Sequence, residues 1–333
     1  AIDPQLEGPL RFLTQWPGVR SVVRPLLYSL ELLRQVRRAD LVHTFCAAHT
    51  AFFFGAVPAV LACRVYGKPL LLNYHDGRAE AHFRWWGPVV RWALRRADAL
   101  VVPSGYLQDV FGARGFEADV VTNVVRTDQF EFSPEERVTP RMISNRLLEP
   151  LYQIQNTIRA FQIVRDRFPE AVLDIYGSGK SEQGLRSLAA SLGAQGVHFR
   201  GRVSSSEMAR VLAGGGVLVN SSLVDNMPHV IIEAFAAGRP IVTTPAGGIP
   251  YMVEHGRTAL VVPQGDPTAM AEAVIRLVEE PAVARALTDA GLSECGKYRW
   301  EVARDGWTRI YRSLTGLPPD GLPPSGLSLA EEI

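Results

Sequence analysis

The sequence predicts an α/β protein of two doubly wound domains, each with a parallel sheet, facing one another across a cleft. Two observations carry that expectation. Short β-rich runs alternate with amphipathic helical stretches almost from end to end, the rhythm of parallel strands joined by crossover helices. The strand-like runs are also continuously apolar, as strands buried on both faces require. With 333 residues the chain can build two cores, since single cores rarely grow beyond roughly 250–300 residues.

In the first half, strands are expected over 40–45, 69–74, 99–103 and 118–124, with helical stretches that include 26–38 and 89–96. The apolar run 51–63 is too short to cross a bilayer and contains Pro58, so it reads as a buried helix. The second half predicts strands over 141–145, 171–176, 197–200, 217–221, 240–244 and 259–263. Helices are expected near 154–167, 183–192, 207–213, 229–237 and 268–280. The polar stretch SPEERVTP at 133–140 breaks the rhythm and marks the interdomain linker. The domains therefore divide as 1–135 and 136–300, with a helix in 301–316 returning to the first domain and a Pro/Gly-rich tail over 317–333. The opening is anomalous: residues 1–38 give a loop-like segment and then a helix, without the strand and glycine turn that begin a doubly wound domain. With no initiating Met either, the first domain is expected to be truncated at its start.

Composition narrows the class. Hydrophobic residues make up 47% and charged residues 21%, the balance of a soluble globular protein. A net charge of +1 supplies no field for nucleic acid as the main partner. Cys46, Cys63 and Cys295 match neither a disulfide framework nor a zinc site, and no secretory signal opens the chain, so a cytoplasmic setting is expected. Two arginine groups, Arg34, Arg37, Arg38 and Arg91, Arg95, Arg96, the latter near Trp85, Trp86 and Trp92, read as solvated helix faces or as a peripheral contact with anionic lipid.

The strongest motif is DNMPHVIIEAFAAGRPIVTTPAGGIP at 225–250. Pro228 suits the first turn of a helix that stops at Gly238, and the N–H groups at its start make an anion site. Glu233 sits about one turn in, among apolar neighbours. A carboxylate there is either a solvent-facing helix residue or a buried acceptor for ribose hydroxyls. Asp225, just before the helix, reads as a cap or as an acceptor for a sugar hydroxyl.

That segment resembles the paired-acid motif of glycosyltransferase family four, a family of retaining GT-B enzymes that use nucleotide-sugar donors. The resemblance extends over nearly all of 41–314. It implies that Glu233 holds the donor ribose and that Asp225 contacts the transferred sugar, with Asn226 and Met227 beside the donor. The chain departs from the family pattern in having Asp rather than Glu first, and Asn226-Met227-Pro228 where Gly-aromatic-Pro or Gly is common. Arg146, ending the strand 141–145, matches the family arginine for the diphosphate, a task suited to a guanidinium fork. The usual lysine about five residues on is replaced by Leu151 and Tyr152, so a phenol stands in with a hydrogen bond. Gly177 and Gly179 in IYGSGK resemble the family's glycine turn. A phosphate-cradling P-loop is excluded because Asp174 occupies its first glycine position, and a dinucleotide fingerprint because Glu182 occupies its third. Gly201, Arg202 and Val203 match the turn that receives the base through main-chain contacts. His75, in LLNYHDG, matches the histidine that holds the donor sugar; Asp76 reads equally as a cap. Ser104 and Asn123 match as architecture.

The expected activity is transfer of a hexose or related sugar from a nucleotide diphosphate sugar to an unidentified acceptor, with retention of configuration. The donor is a substrate; no cofactor and no metal are expected, since His, Asp and Cys do not cluster at ligand spacing. Two alternatives remain open: a nucleotide-sugar epimerase-like GT-B enzyme, and a nucleotide-sugar binder without catalysis.

Overall fold

A computed structural model describes residues 17–316; the expectations for the opening segment 1–16 and the tail 317–333 lie outside the described residues. Helix α1 (Pro17–Val36) leads into an alternation of β1 (Val42–Cys46), α2 (Thr50–Tyr66), β2 (Leu70–Tyr74), α3 (Ala79–Leu94), β3 (Ala99–Val102), α4 (Gly105–Gly112) and β4 (Asp119–Val120). These strands form a parallel sheet in the order β1-β2-β3-β4. Leu70, Leu72, Tyr74, Leu100 and Val102 project into a core roofed by the preceding and intervening helices. Leu71 and Val101 point to the opposite face, as the period of two along a strand dictates.

The second sheet carries β5 (Arg141–Asn145), β6 (Val172–Tyr176), β7 (Val197–Gly201), β8 (Val217–Asn220), β9 (Ile241–Thr243) and β10 (Leu260–Val261). All are parallel, in the order β10-β9-β8-β5-β6-β7. One face packs on α5 (Ile154–Arg167), α6 (Glu182–Ser191) and α9 (Pro267–Glu279). The other packs on α7 (Ser205–Ala213), α8 (His229–Ala237) and the end of α10 (Pro281–Cys295). Helix α11 (Trp300–Thr315) returns to the first sheet, setting Ala303 and Ile310 against Leu71, Val101 and Val121.

β5, α5 and α8 take the spans expected from sequence. Helices α4 and α10 were not expected, and α3 starts ten residues before the helical stretch at 89–96. Gly87-Pro88 looks like a helix breaker, yet Phe83 and Val90 are both buried on the same side, and that packing carries the helix through the proline. Pro281 likewise reads as a stop but occupies the first turn of α10, where a missing N–H costs nothing.

The 133–140 segment is pinned to the second domain. The Glu135 carboxylate accepts hydrogen bonds from the N–H groups of Gly216 at 2.7 Å and Thr139 at 3.2 Å. It also pairs at 3.1 Å with Arg239, which is 1% exposed. A buried guanidinium requires such a partner, so the start of the linker is an anchored strap.

Candidate active site

The site forms where the second sheet changes winding direction. β5 lies between β6 and β8, and chains leaving the two sides of that point diverge to open a crevice at the carboxyl ends of the strands. Arg146 follows β5, Asp225 lies beyond β8, and α8 begins at His229. Arg146 Nη2 stands 2.6 Å from Asp225 Oδ2, with the side chains only 12% and 8% exposed. Asp225 also accepts from the Asn226 N–H at 3.1 Å and the Ser222 hydroxyl at 3.2 Å. Burial raises the Asp225 carboxyl above its ordinary value, opposed first by the Arg146 charge and then by these hydrogen bonds.

Tyr152 stands beside Arg146. Its ring lies against the guanidinium, 4.2 Å from Arg146 Cζ, so it orients the arginine by a cation–π contact. Gly177 and Gly179 support the same residue from behind. Gly177 has φ 121, and a side chain there would strike the Arg146 carbonyl, while one at Gly179 would strike the backbone of Leu148. The glycines thus admit the close approach of the β6–α6 turn that fixes where Arg146 stands. Gly201, with φ 73, accepts from the Gly177 N–H at 2.7 Å. It ends β7 and is followed by exposed Arg202 and half-buried Val203.

Glu233 is on the inner side of α8, 9% exposed, and its Oε2 has no hydrogen-bond partner. Burial pushes its carboxyl up to about 7, with Arg146 opposing. The first turn of α8 is capped by Pro228, which has no side-chain acceptor, so its N–H groups stay available to an anion.

The first domain contributes His75, immediately after β2. Its backbone N–H donates to the Cys46 carbonyl at 3.1 Å, and its buried Nε2 lacks a partner. Burial, and to a lesser degree His229, lower its pKa, so the ring is neutral at pH 7. Asp76 does not cap α3; it accepts from the N–H groups of Ala48 at 3.1 Å and Arg78 at 2.9 Å.

Asn226, expected beside the donor, uses its side chain to join the two domains. Its Nδ2 donates to the His75 carbonyl at 3.1 Å and its Oδ1 accepts from the Ser104 hydroxyl. Met227 Sδ faces the Asn123 N–H at 3.3 Å. A Cβ on Gly77 would lie 3.2 Å from the Asp225 carbonyl carbon, so the loop bearing the first acid rests directly on the end of β2. His75, Asn123, Arg146, Asp225, Asn226, Met227, Pro228 and His229 enclose a cavity of about 300 Å³. His229 escaped the sequence reading; its place at the first position of α8, inside the motif and at the anion end, was the available signal. Its pKa is lowered by burial and then by Arg146. A larger groove of about 1070 Å³ near α4, β4 and α11 is lined by Asp98, Asp109, Glu117 and Asp119, a charge that repels phosphate. Among the described residues no group of three or more His, Cys, Asp or Glu side chains is placed to hold a metal ion.

Residues 142–280 match the family model for glycosyl transferases group 1, and residues 4–129 match that for glycosyltransferase family 4. The chain belongs to this glycosyltransferase family. It is 24% identical over 315 residues to the sulfoquinovosyl transferase SQD2 of Arabidopsis thaliana, covering 86% of this chain and 59% of that protein. It is 30% identical over 188 residues to a D-inositol 3-phosphate glycosyltransferase of Streptomyces avermitilis, covering 54% of this chain and 40% of that protein. The chain thus spans about half the length of these two family members. Among solved structures, the sucrose-phosphate synthase of Thermosynechococcus elongatus superposes with a TM-score of 0.76 at 18% identity, covering 93% of this chain and 81% of that one. Anabaena HepE in complex with UDP and glucose gives 0.72 at 18% identity, covering 95% and 85%. These superpositions establish the GT-B fold, two Rossmann-like domains across a cleft.

Proposed function

We propose that this glycosyltransferase moves a hexose or related sugar from a nucleoside diphosphate sugar to an acceptor hydroxyl, retaining the anomeric configuration and using no metal ion. The observation that carries the reading is the convergence of three unpartnered buried polar atoms, His75 Nε2, Arg146 Nε and Glu233 Oε2, around the uncapped start of α8. Unpaired buried polar atoms are costly, and a nucleotide sugar satisfies each by its own chemistry. Ribose hydroxyls donate to Glu233, the diphosphate accepts from Arg146 and the α8 N–H groups, and neutral His75 meets a sugar hydroxyl.

As the bond between the anomeric carbon and the diphosphate oxygen breaks, negative charge grows on the leaving group. Arg146, held by Asp225 and Tyr152, and the helix end are already oriented toward it, which is where preorganised dipoles lower a barrier most. Retention rests on the resemblance to glycosyltransferase family four, and the acids available bear on its route. Among the described residues lining the cavity the one carboxylate is Asp225, and its oxygens are engaged by Arg146, Ser222 and Asn226. It is therefore poorly placed to form a covalent bond to the sugar, and departure and attack on one face fit better.

A calorimetric screen of nucleoside diphosphate sugars, beginning with UDP-glucose, tests the reading, followed by NMR of the product formed with donor and candidate acceptors. Saturable binding, an unchanged anomer in the product and activity that persists in EDTA are expected. An inverted product would overturn the stereochemical assignment, and activity restored by one divalent ion after chelation would overturn metal independence. Isomerised donor without transfer would instead indicate epimerase chemistry.

A further inference from the structure

The donor cavity holds little positive charge for the ligand proposed to enter it. Among the described residues lining it, Arg146 is the one Arg or Lys side chain, and its charge is matched by Asp225 at 2.6 Å. The turn that follows β5 brings no second cation, since 150–152 reads Pro-Leu-Tyr. Arg78 is committed to Asp76 at 2.6 Å and Lys180 to Glu149 at 2.8 Å. Glu233, once ionised, adds a negative charge one turn into α8. A nucleoside diphosphate sugar brings two more, and the α8 N–H groups offset only about half a charge. Uncompensated charge held away from bulk water is costly.

His229 stands where that deficit falls. It opens α8 at the helix's anion end, and its ring is exposed on the cavity wall. Charged and titratable groups face it from each element that meets there: Arg146 from the end of β5, Asp225 from the loop after β8, His75 from the end of β2, and Glu233 one turn along α8 itself. Although water reaches the ring, the surrounding protein keeps it neutral, desolvation first and Arg146 second, while Asp225 pulls the other way. An anion at the start of α8 reverses that balance, because an opposite charge within about 4–6 Å favours the imidazolium. His75 is the other imidazole on the wall, and what acts on it, burial and then His229, only disfavours its cation.

We propose that His229 is the second cation of the donor site, taking up a proton from solvent as the diphosphate binds and meeting the negative charge that grows on it as the sugar departs. The inference rests on the transferase reading. The two cavity histidines then divide the work: a charged His229 holds His75 neutral by repulsion, which leaves the unpartnered His75 Nε2 to a sugar hydroxyl. The complex holds the His229 proton more tightly than the free protein. The contribution of His229 to affinity is therefore present at low pH and lost as pH rises through its value in the complex. Glu233 acts in the opposite sense, and where the two windows overlap the effects subtract.

Calorimetry of the full chain in two buffers of different ionisation enthalpy counts the proton. UDP-glucose, GDP-mannose and ADP-glucose are each compared with their own nucleoside at about pH 7.5. Release at Glu233 belongs to the ribose and appears with both ligands, so the difference isolates the diphosphate. The nucleotide sugar that binds should take up about half a proton or more relative to its nucleoside. His229→Gln should abolish that difference at an unchanged melting temperature. It should also weaken nucleotide-sugar binding about tenfold near pH 6.5, with the deficit shrinking toward about pH 9. His229→Lys, whose charge is fixed over this range, should bind more tightly than wild type at about pH 9 and take up no proton. Equal proton counts for nucleotide sugar and nucleoside, a His229→Gln deficit that is the same at both pH values, or no deficit at all would sink this inference and leave the donor site standing. Failure of the wild-type chain to bind any of the three nucleotide sugars sinks the transferase reading, and this inference with it.

Discussion

The two domains solve different problems with the same kind of sheet. In the second, six strands are covered on both faces by substantial cores, and Arg146, Asp225 and Glu233 all rise from that framework. In the first, four strands carry a large core on one side and a small one against α11 on the other. It reaches the site through His75 and through contacts with the 225–228 loop. The contrast teaches that the groups to which the proposed donor site assigns fixed geometry stand on the doubly covered sheet. The first domain meets them through interdomain hydrogen bonds and through α11 packed on the first sheet.

The largest expected effect breaks the second domain's side of the comparison. Arg146→Ala leaves Asp225 buried without its ion partner, a loss of about 3–5 kcal/mol of stability by analogy with other half-removed pairs, and should lower turnover by about 10²–10³-fold. Thermal melts and single-turnover kinetics check both; unaffected turnover in a folded variant would place the diphosphate elsewhere. Arg146→Lys should recover charge but not the flat contact with Tyr152, and so restore stability better than rate.

Glu233→Ala should weaken donor binding by about 2–3 kcal/mol, the scale of lost charge-assisted hydrogen bonds, with calorimetry as the measure. The same residue predicts a pH profile. Its carboxyl is raised from 4.5 to about 7 by burial, and ribose hydroxyls favour the ionised form, so donor binding expels a proton. Affinity should therefore fall toward low pH, by up to about tenfold per unit below 7, and Glu233→Gln should flatten the curve. Without donor the sign reverses for folding: the folded protein holds this proton more tightly than the unfolded chain, so this group's contribution to stability is lost as pH rises from 4.5 to 7.

The smallest effect sharpens the first domain's side. Asn226→Gly removes the bridge between Ser104 and the His75 carbonyl and should cost about 1 kcal/mol, read as a larger radius of gyration in small-angle scattering and a few-fold rise in KM. Asn226→Asp retains the acceptor for Ser104 alone and should fall between the two. An identical scattering profile for the glycine variant would show that the remaining contacts, among them Tyr251 with Asp109, Gly77 on Asp225, Asn123 with Met227 and α11 on the first sheet, hold the domains by themselves.

The sequence by itself determined the layers, the order of the strands and of the helices other than α4 and α10, and the identity of the principal polar groups. Continuous apolar runs such as 217–221 and the Pro228-to-Gly238 helix signal are local properties, set by backbone and burial chemistry that any reader of the chain can apply. Glu233 was legible for the same reason, as a lone carboxylate on a helix apolar nearly all round. Tertiary structure alone decided what the neighbours of those groups do. That the Tyr152 ring lies on Arg146 depends on the turn of chain between Pro150 and Gln153. Whether Asn226 faces a donor or a second domain depends on where Ser104 and His75 arrive, from strands more than 120 residues earlier in sequence. Helix α3 runs past Pro88 because the core it buries outweighs the local penalty, and α10 begins at Pro281, where there is no penalty to outweigh. Such outcomes are sums over distant partners, and spacing along the chain does not contain them.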